Sequence, residues 1–349
     1  LQLNRRDESR TQRESSAIGA PTQDLDQNYD SHLERLALFV QDEMTLRPGL
    51  SAYLGIRWEQ LKTRTSGNEL QEVDSRSTAF SPILQVLWKI PHSKSDQLRI
   101  NLSRTYKAPT ARNLIPRRWI EADNSVTSPD FQGNPNLLPE LAWGLDIAYE
   151  HYLQGGSFVG LSAYGRRIRG VVQDRLFNDN GRWVITPENS GPAQVLGVEF
   201  ETKGTVKAMS EDSAPLEYRF GMTRNWSSVQ AVPPPKNRLQ EQPLMTASLG
   251  VDYGPFARAF TLGGNVNFEH QGLARTSATQ STSREGRWLL DVYGLWRSSK
   301  VTTWRLTFTN LIRRDVKAKS TFDDGSARQE QIVSSRSFRA VRLLLDTEL

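Results

Sequence analysis

Three short runs set arginine beside an aromatic ring: Arg104-Thr105-Tyr106, Arg117-Arg118-Trp119 and Arg182-Trp183. A guanidinium is a planar fork of donors that grips an anion in two places, and both it and a ring can stack on a flat ligand. Arg104, Tyr106, Arg117, Arg118, Trp119, Arg182 and Trp183 are therefore candidates for holding an anionic or aromatic small molecule. A plainer use competes. Arg117 and Arg118 can contact lipid phosphates, or close on Glu121 and Asp123 within their own segment, and the latter residues make this the preferred reading of that pair. Catalysis has little to stand on. Ser162 and His151 fall on neighbouring segments, but nothing orients them as nucleophile and base, and no enzyme is expected. The chain has no cysteine, and His32, His92, His151 and His270 are far apart, so neither a disulfide nor a metal motif nor any cofactor is expected.

Composition narrows the class. Hydrophobic residues make up 37%, mean hydropathy is -0.56, and no apolar run approaches the roughly 20 residues of a membrane helix. A transmembrane β-barrel remains open, because only one face of each strand is apolar. The formal charge is +5, but Lys and Arg are scattered rather than gathered in a tract, which argues against nucleic acid. A basic lumen or a basic surface facing anionic partners fits better.

The elements that must position these residues show a period of two. In Leu244–Tyr253, Met245, Ala247, Leu249, Val251 and Tyr253 share one face, and Thr246, Ser248, Gly250 and Asp252 the other. Alternate side chains of a strand point to opposite faces, so this reads as a strand with one apolar and one polar side. The same pattern recurs near 33–46, 50–65, 79–90, 97–108, 141–153, 157–176, 193–203, 216–226, 258–270, 288–296, 302–318 and 332–349. With an N-terminal stub, about fourteen strands are expected. Short turns such as Arg47-Pro48-Gly49 alternate with long polar connections, among them 9–31, 66–75, a structured insertion at 109–139, 178–190 and 276–285. Gly254-Pro255 reads as a turn. Short turns on one side and long loops on the other are the asymmetry of an outer-membrane barrel. Trp58, Trp88, Tyr149, Tyr218, Trp226, Tyr253, Phe268, Trp288, Trp296 and Trp304 near strand ends suit the two headgroup boundaries. Asp146, Glu150, Glu199, Glu201 and Glu269, with Arg57, Arg99 and Arg219, are expected to face the lumen, paired with one another or with a segment that fills it.

Several ordered motifs resemble one family. They are Leu38–Glu43 with Arg47–Leu50 and Gly55–Glu59, then Leu102-Ser103-Arg104-Thr105-Tyr106-Lys107-Ala108-Pro109-Thr110, then Gly133-Asn134-Pro135-Asn136-Leu137-Leu138-Pro139-Glu140. Asn189-Ser190-Gly191 with Gly197-Val198-Glu199, and Thr309-Asn310-Leu311, follow. Together they resemble the C-terminal barrel portion of TonB-dependent outer-membrane receptors. Arg104 to Pro109 and Gly133 to Glu140 are expected to shape strand exits and close loops rather than touch ligand.

The resemblance implies an all-β, antiparallel, up-and-down transmembrane barrel, with about 14 strands present of about 22 in such receptors. Residues 1–349 are then the C-terminal part of the barrel domain, with the plug domain and TonB-engaging segment lying outside them. The N-terminus is expected to be a cut rather than a natural start, and Leu349 departs from the Phe or Trp that often ends such barrels. Implied partners are the plug, the TonB complex, outer-membrane lipid and lipopolysaccharide, and a scarce nutrient such as a ferric siderophore. The implied location is the bacterial outer membrane. A passive porin is the alternative. A soluble β-sandwich fits poorly, because every strand would expose an apolar face.

Overall fold

The computed structural model describes residues 2–14, 25–67, 70–206, 214–256 and 259–347. In chain order the strands are β1 (Gln2–Glu14), β2 (Leu25–Arg47), β3 (Leu50–Gly67), β4 (Leu70–Lys89), β5 (Asp96–Lys107), β6 (Arg118–Trp119), β7 (Asp130–Gln132) and β8 (Glu140–Tyr152). Then come β9 (Phe158–Arg169), β10 (Val172–Asp179), β11 (Arg182–Asn189), β12 (Ala193–Val206), β13 (Leu216–Val229), β14 (Met245–Phe256) and β15 (Phe260–His270). The last are β16 (Gly272–Arg275), β17 (Gln280–Arg284), β18 (Arg287–Arg297), β19 (Thr302–Thr309), β20 (Val316–Asp323), β21 (Arg328–Ser335) and β22 (Ala340–Thr347). A single helical turn, α1 (Ala111–Leu114), precedes β6 and is capped by the Thr110 side chain.

Fourteen strands form one sheet in the order β1-β2-β3-β4-β5-β8-β9-β12-β13-β14-β15-β18-β19-β22. Each pairs antiparallel with the next in the chain, and the sheet is open, with β1 and β22 at its edges. The remaining strands build two four-stranded sheets in the long loops, β10-β11-β7-β6 and β16-β17-β20-β21.

The two faces of the large sheet differ as the alternation requires. On β8 the outward residues are Trp143, Leu145, Ile147 and Tyr149, all exposed. They stand opposite Leu102 and Ile100 on one side and Gly165, Ala163 and Leu161 on the other. Leu196, Val198 and Phe200 continue this outward surface on β12. Outward aromatics fall at two levels. Trp143, Trp226 and the Phe268–Trp288 pair (centroids 4.4 Å apart) lie toward the long loops, and Tyr149, Tyr253 and the stacked Phe260–Trp296 pair toward the short turns. Trp288 and Trp296 lie eight positions apart on β18. At ~3.3 Å per residue and a tilt of about 40°, that spans roughly 20 Å of membrane depth, near the ~25 Å apolar band of such barrels.

The inward face carries paired charge. Arg166 meets Asp146 at 2.5 Å, Arg99 meets Glu150 at 3.0 Å, and Arg219 meets Asp252 at 2.7 Å. Glu59 takes both the Arg57 guanidinium and the Tyr106 hydroxyl. A small apolar core sits on this face under the long loops, where Val171, Ala193, Val229 and Val232 pack with Ile168 and Leu239.

Strand number and direction match the sequence reading, but several boundaries move. The polar stretch at 66–75 is no loop, since β3 and β4 run on to Gly67 and from Leu70. There cross-strand charge replaces apolar contact, with Arg64 at 2.9 Å from both Glu72 and Asp74. The loop read at 9–31 likewise shrinks, as β1 continues to Glu14 and β2 begins at Leu25, and residues 15–24 lie outside those described. Three segments read as single strands are each two. Gly170, at φ 66°, breaks 157–176 into β9 and β10. Asn310 and Arg313, at φ 55° and 46°, break 302–318 into β19 and β20, and 332–349 divides between β21 and β22. The Ser/Thr-rich segment 276–285 contains β17, whose hydroxyl residues pair with β20. Gly254-Pro255 is a bulge within β14 and not a turn, with Gly254 at φ 132° against the Phe260 carbonyl. Leu1 and Leu349 lie outside the described residues.

Candidate ligand-binding mouth

The loop sheet above β5, β8 and β9 is organised by one buried carboxylate. Asp130, on β7, has no exposed surface and accepts five hydrogen bonds. Arg182 donates from Nε at 2.8 Å and Nη2 at 2.7 Å, and Arg118 from Nε at 3.1 Å. The Glu121 amide (3.0 Å) and Asn124 Nδ2 (2.9 Å) complete the set. Burial pushes the Asp130 carboxyl up, but the Arg182 guanidinium and the other donors outweigh it and hold its pKa below the ordinary aspartate value. The same contact raises Arg182. Arg118 extends further to Asp179 at 2.7 Å. A buried ion pair with every lone pair occupied is a rigid joint, because loss of one partner strands a charge away from water.

The aromatic candidates stand beside this joint. Trp119 packs edge-on against Phe131 with centroids 5.3 Å apart. Arg117, itself buried, lies 4.9 Å from the Trp119 centroid, and Arg112 lies 5.5 Å from Trp119 and 4.7 Å from Phe131. Trp183 contacts Phe322 of the other loop sheet at 6.1 Å. Of the seven residues singled out above, Arg117, Arg118, Trp119, Arg182 and Trp183 thus share one loop layer. Arg104 and Tyr106 sit lower, on β5. Arg104 donates to the Phe80 carbonyl at 3.4 Å, and the Tyr106 hydroxyl donates to Glu59.

The loop motifs at Gly133–Glu140 and Asn189–Gly191 are latches. Asn134 donates from its backbone to the Asn113 carbonyl at 2.6 Å and from its side chain to the Pro187 carbonyl at 3.0 Å. Asn189 accepts from the Leu138 amide at 2.9 Å and donates to the Leu138 and Gly170 carbonyls at 3.0 and 2.8 Å. A Cβ on Gly133 would collide with the Ile115 and Arg112 carbonyls. Asn310 does the same for the last long loop, donating to the Phe338 carbonyl at 2.7 Å.

Between these loops and the strand ends lies a cleft of about 720 Å³, bordered by Lys107, Arg112, Phe131, Glu140, Asp174 and Glu241. Lys107 meets Glu140 at 3.6 Å. Asp174 stands exposed at the cleft edge, where partial desolvation by the cleft walls pushes its carboxyl up, Arg112 opposes that, and Glu241 adds to it. Arg112 is exposed and makes no ion pair among the described residues, so its charge faces the cleft with an aromatic backing. Sequence reading missed Arg112, Phe131, Asp130 and Asp174. Arg112 follows Lys107–Thr110 within two residues, but nothing in the chain order shows that Phe131 folds back onto it. Among the described residues no cluster of three His, Cys, Asp or Glu side chains could hold a metal ion.

An antiparallel sheet in chain order, apolar outside, charge-paired inside, with short turns at one end and folded loops at the other, defines the wall of an outer-membrane β-barrel. The chain belongs to the TonB-dependent receptor family: the profile of the TonB dependent receptor-like β-barrel matches residues 2–311. Solved structures with this fold include the ferric enterobactin receptor PfeA of Pseudomonas aeruginosa in complex with enterobactin, 15% identical, with TM-score 0.56 over 90% of this chain and 54% of that one. The ferric-catecholate import receptor Fiu of E. coli K12 is 14% identical, with TM-score 0.64 over 99% and 51%. The copper transporter OprC is 13% identical, with TM-score 0.68 over 99% and 53%. The chain spans about half the length of these structures. No curated protein sequence matches it. Barrels of this family are bacterial outer-membrane proteins, and the family and these neighbours are transport receptors.

Proposed function

We propose that this barrel is the outer-membrane wall of a receptor that captures a scarce nutrient, a ferric siderophore first among candidates, and imports it with energy from TonB. The observation that carries the ligand class is Arg112, an exposed cation backed by the Phe131 and Trp119 rings at the edge of the cleft. Such a pairing suits an anionic, aromatic chelate, which a guanidinium binds by charge and a ring by stacking. The names of the catecholate and enterobactin receptors support the same class.

On this reading Trp119 and Trp183 present the ligand-facing surface with Arg112, and the buried Arg117 backs the Trp119 ring. Arg118 and Arg182, held by Asp130, keep that surface in place, and Arg104 and Tyr106 mark the strand exit beneath it. Residues 1–349 are the C-terminal portion of the barrel domain. The working receptor includes a plug domain that blocks the lumen, and its partners are the TonB complex, outer-membrane lipid and lipopolysaccharide.

The test is iron uptake by cells carrying the full-length receptor, fed a radiolabelled ferric catecholate with and without TonB. The account expects uptake that needs TonB and an Arg112→Ala variant that binds at least about tenfold more weakly. Uptake that persists without TonB would indicate a passive channel instead.

A further inference from the structure

The run Gly165-Arg166-Arg167-Ile168-Arg169 on β9 sends successive arginines to opposite faces, and the two faces treat them differently. Inward, Arg166 is satisfied by Asp146 at 2.5 Å and by the Leu145 and Gly165 carbonyls. Outward, Arg167 and Arg169 are exposed and make no hydrogen bond or ion pair among the described residues. Register places Arg167 opposite Trp143, and Trp143 opposite Arg104. Arg104, Trp143 and Arg167 thus form a row across three adjacent strands, at the level of the outer aromatic ring. Neighbouring strands are about 4.8 Å apart, so the two arginine Cα atoms are roughly 10 Å apart, and Arg169 stands about 7 Å further out. Arg104 uses one donor on the Phe80 carbonyl, and a guanidinium has five. On the opposite face of the same strands Asp146 is engaged by Arg166 and Glu140 by Lys107.

We propose that Arg104, Arg167 and Arg169 form a phosphate-binding patch on the lipid-facing side of the wall, for the phosphorylated headgroup of an anionic glycolipid in the outer leaflet. Unpaired arginines just above an apolar band face headgroups and not hydrocarbon, and guanidinium and phosphate match in charge and in two-point geometry. Trp143 between them anchors the same depth from the apolar side. The assignment rests on the outer-membrane reading of the wall and is independent of the transported ligand. It places lipid contact on this row, whereas Arg118 is committed to Asp130.

The experiment uses the full-length receptor in nanodiscs of phosphatidylcholine doped with diphosphorylated lipid A, with retained lipid counted by native mass spectrometry. The wild type is expected to retain lipid A but not its dephosphorylated form. Arg104→Gln, Arg167→Gln and Arg169→Gln combined should lower retention by about tenfold, with heat-modifiable mobility confirming a folded barrel. Equal retention by the folded triple variant, or equal retention of both lipid forms by the wild type, would overturn the patch. Displacement by millimolar inorganic phosphate would show a simple anion site and overturn the lipid assignment. Should the triple variant not fold, Arg167→Gln alone and the two wild-type arms decide. A receptor that fails to enter the bilayer at all contradicts the outer-membrane reading rather than the patch.

Discussion

The wall and the loop layer above it are held by different physics. In the wall each strand repeats one instruction, apolar out and polar in, and hydrogen bonds run between chain neighbours. In the loop layer a few residues carry the structure. Asp130 joins segments 52 residues apart in sequence, and Asn189 reaches 51 residues back to Leu138. Redundancy makes the wall tolerant of single changes that keep the alternation. The loop layer depends on individual side chains, and this concentrates both its shape and its vulnerability.

The largest expected effect follows from breaking the joint. Asp130→Ala leaves Arg118 and Arg182 without their buried partner and should cost the loop layer about 3–5 kcal/mol. Hydrogen exchange in 118–132 and 172–189 should rise strongly while the wall strands β8, β9 and β12–β15 stay protected. Unchanged exchange would show that the latches suffice without the carboxylate.

The matching test of the wall is Leu249→Arg, which places a charge between Phe220 and Val266 on the apolar outward face and should cost about 2–4 kcal/mol. Thr223→Arg, across the sheet on the inward face beside Glu199, should change stability by under about 1 kcal/mol. Refolding titrations into vesicles measure both, and equal costs would erase the distinction between the faces. Smaller, and again confined to the loops, Gly133→Ala should cost about 1–3 kcal/mol by overpacking against the Ile115 carbonyl. It should appear as faster proteolysis between 108 and 139 with the wall intact.

The two loop aspartates give opposite pH dependences. The Asp130 pKa is lowered from 3.8, so its contribution is complete above the unfolded value and is lost as pH falls through the lower folded one. Loop protection should therefore stay flat across the neutral range and fail only below about pH 4. The Asp174 pKa is raised from 3.8 by partial desolvation at the cleft edge and by Glu241, so its ionisation weakly opposes folding as pH rises from the unfolded toward the folded value. Because Asp174 is exposed, solvent screens its charge, and Asp174→Asn should leave loop stability at neutral pH unchanged or higher by only roughly a few tenths of a kcal/mol. A clear loss in protease resistance would show that its charge is needed.

The same contrast explains what could be read from the chain. Period two in Met245–Tyr253 or Phe260–Phe268 identifies a wall strand locally, since both faces are written in adjacent residues. Strand ends were less legible because outside the apolar band alternation gives way to charge pairs such as Arg64 with Asp74. Within the loops the pattern fails altogether. Asp130 in Ser128-Pro129-Asp130-Phe131 reads as an ordinary turn residue, and its partners Arg118 and Arg182 are visible only as cations. Their mutual closure depends on β11 pairing parallel with β7, a long-range contact that leaves no local trace. The motif at Gly133–Glu140 was legible as a loop-closing element, because glycine and asparagine at a strand entry already imply tight backbone contacts.

Sidedness is the central claim, and the chain has no cysteine to complicate its test. Asn180 tips the loop hairpin β10–β11, and Lys94 lies in the short β4–β5 turn. In full-length receptor on intact cells, Asn180→Cys should react with a membrane-impermeant maleimide, and Lys94→Cys only after the outer membrane is permeabilised. Labelling of both residues in intact cells, or the reverse order, would contradict an outer-membrane wall with its ligand-binding loops facing outward.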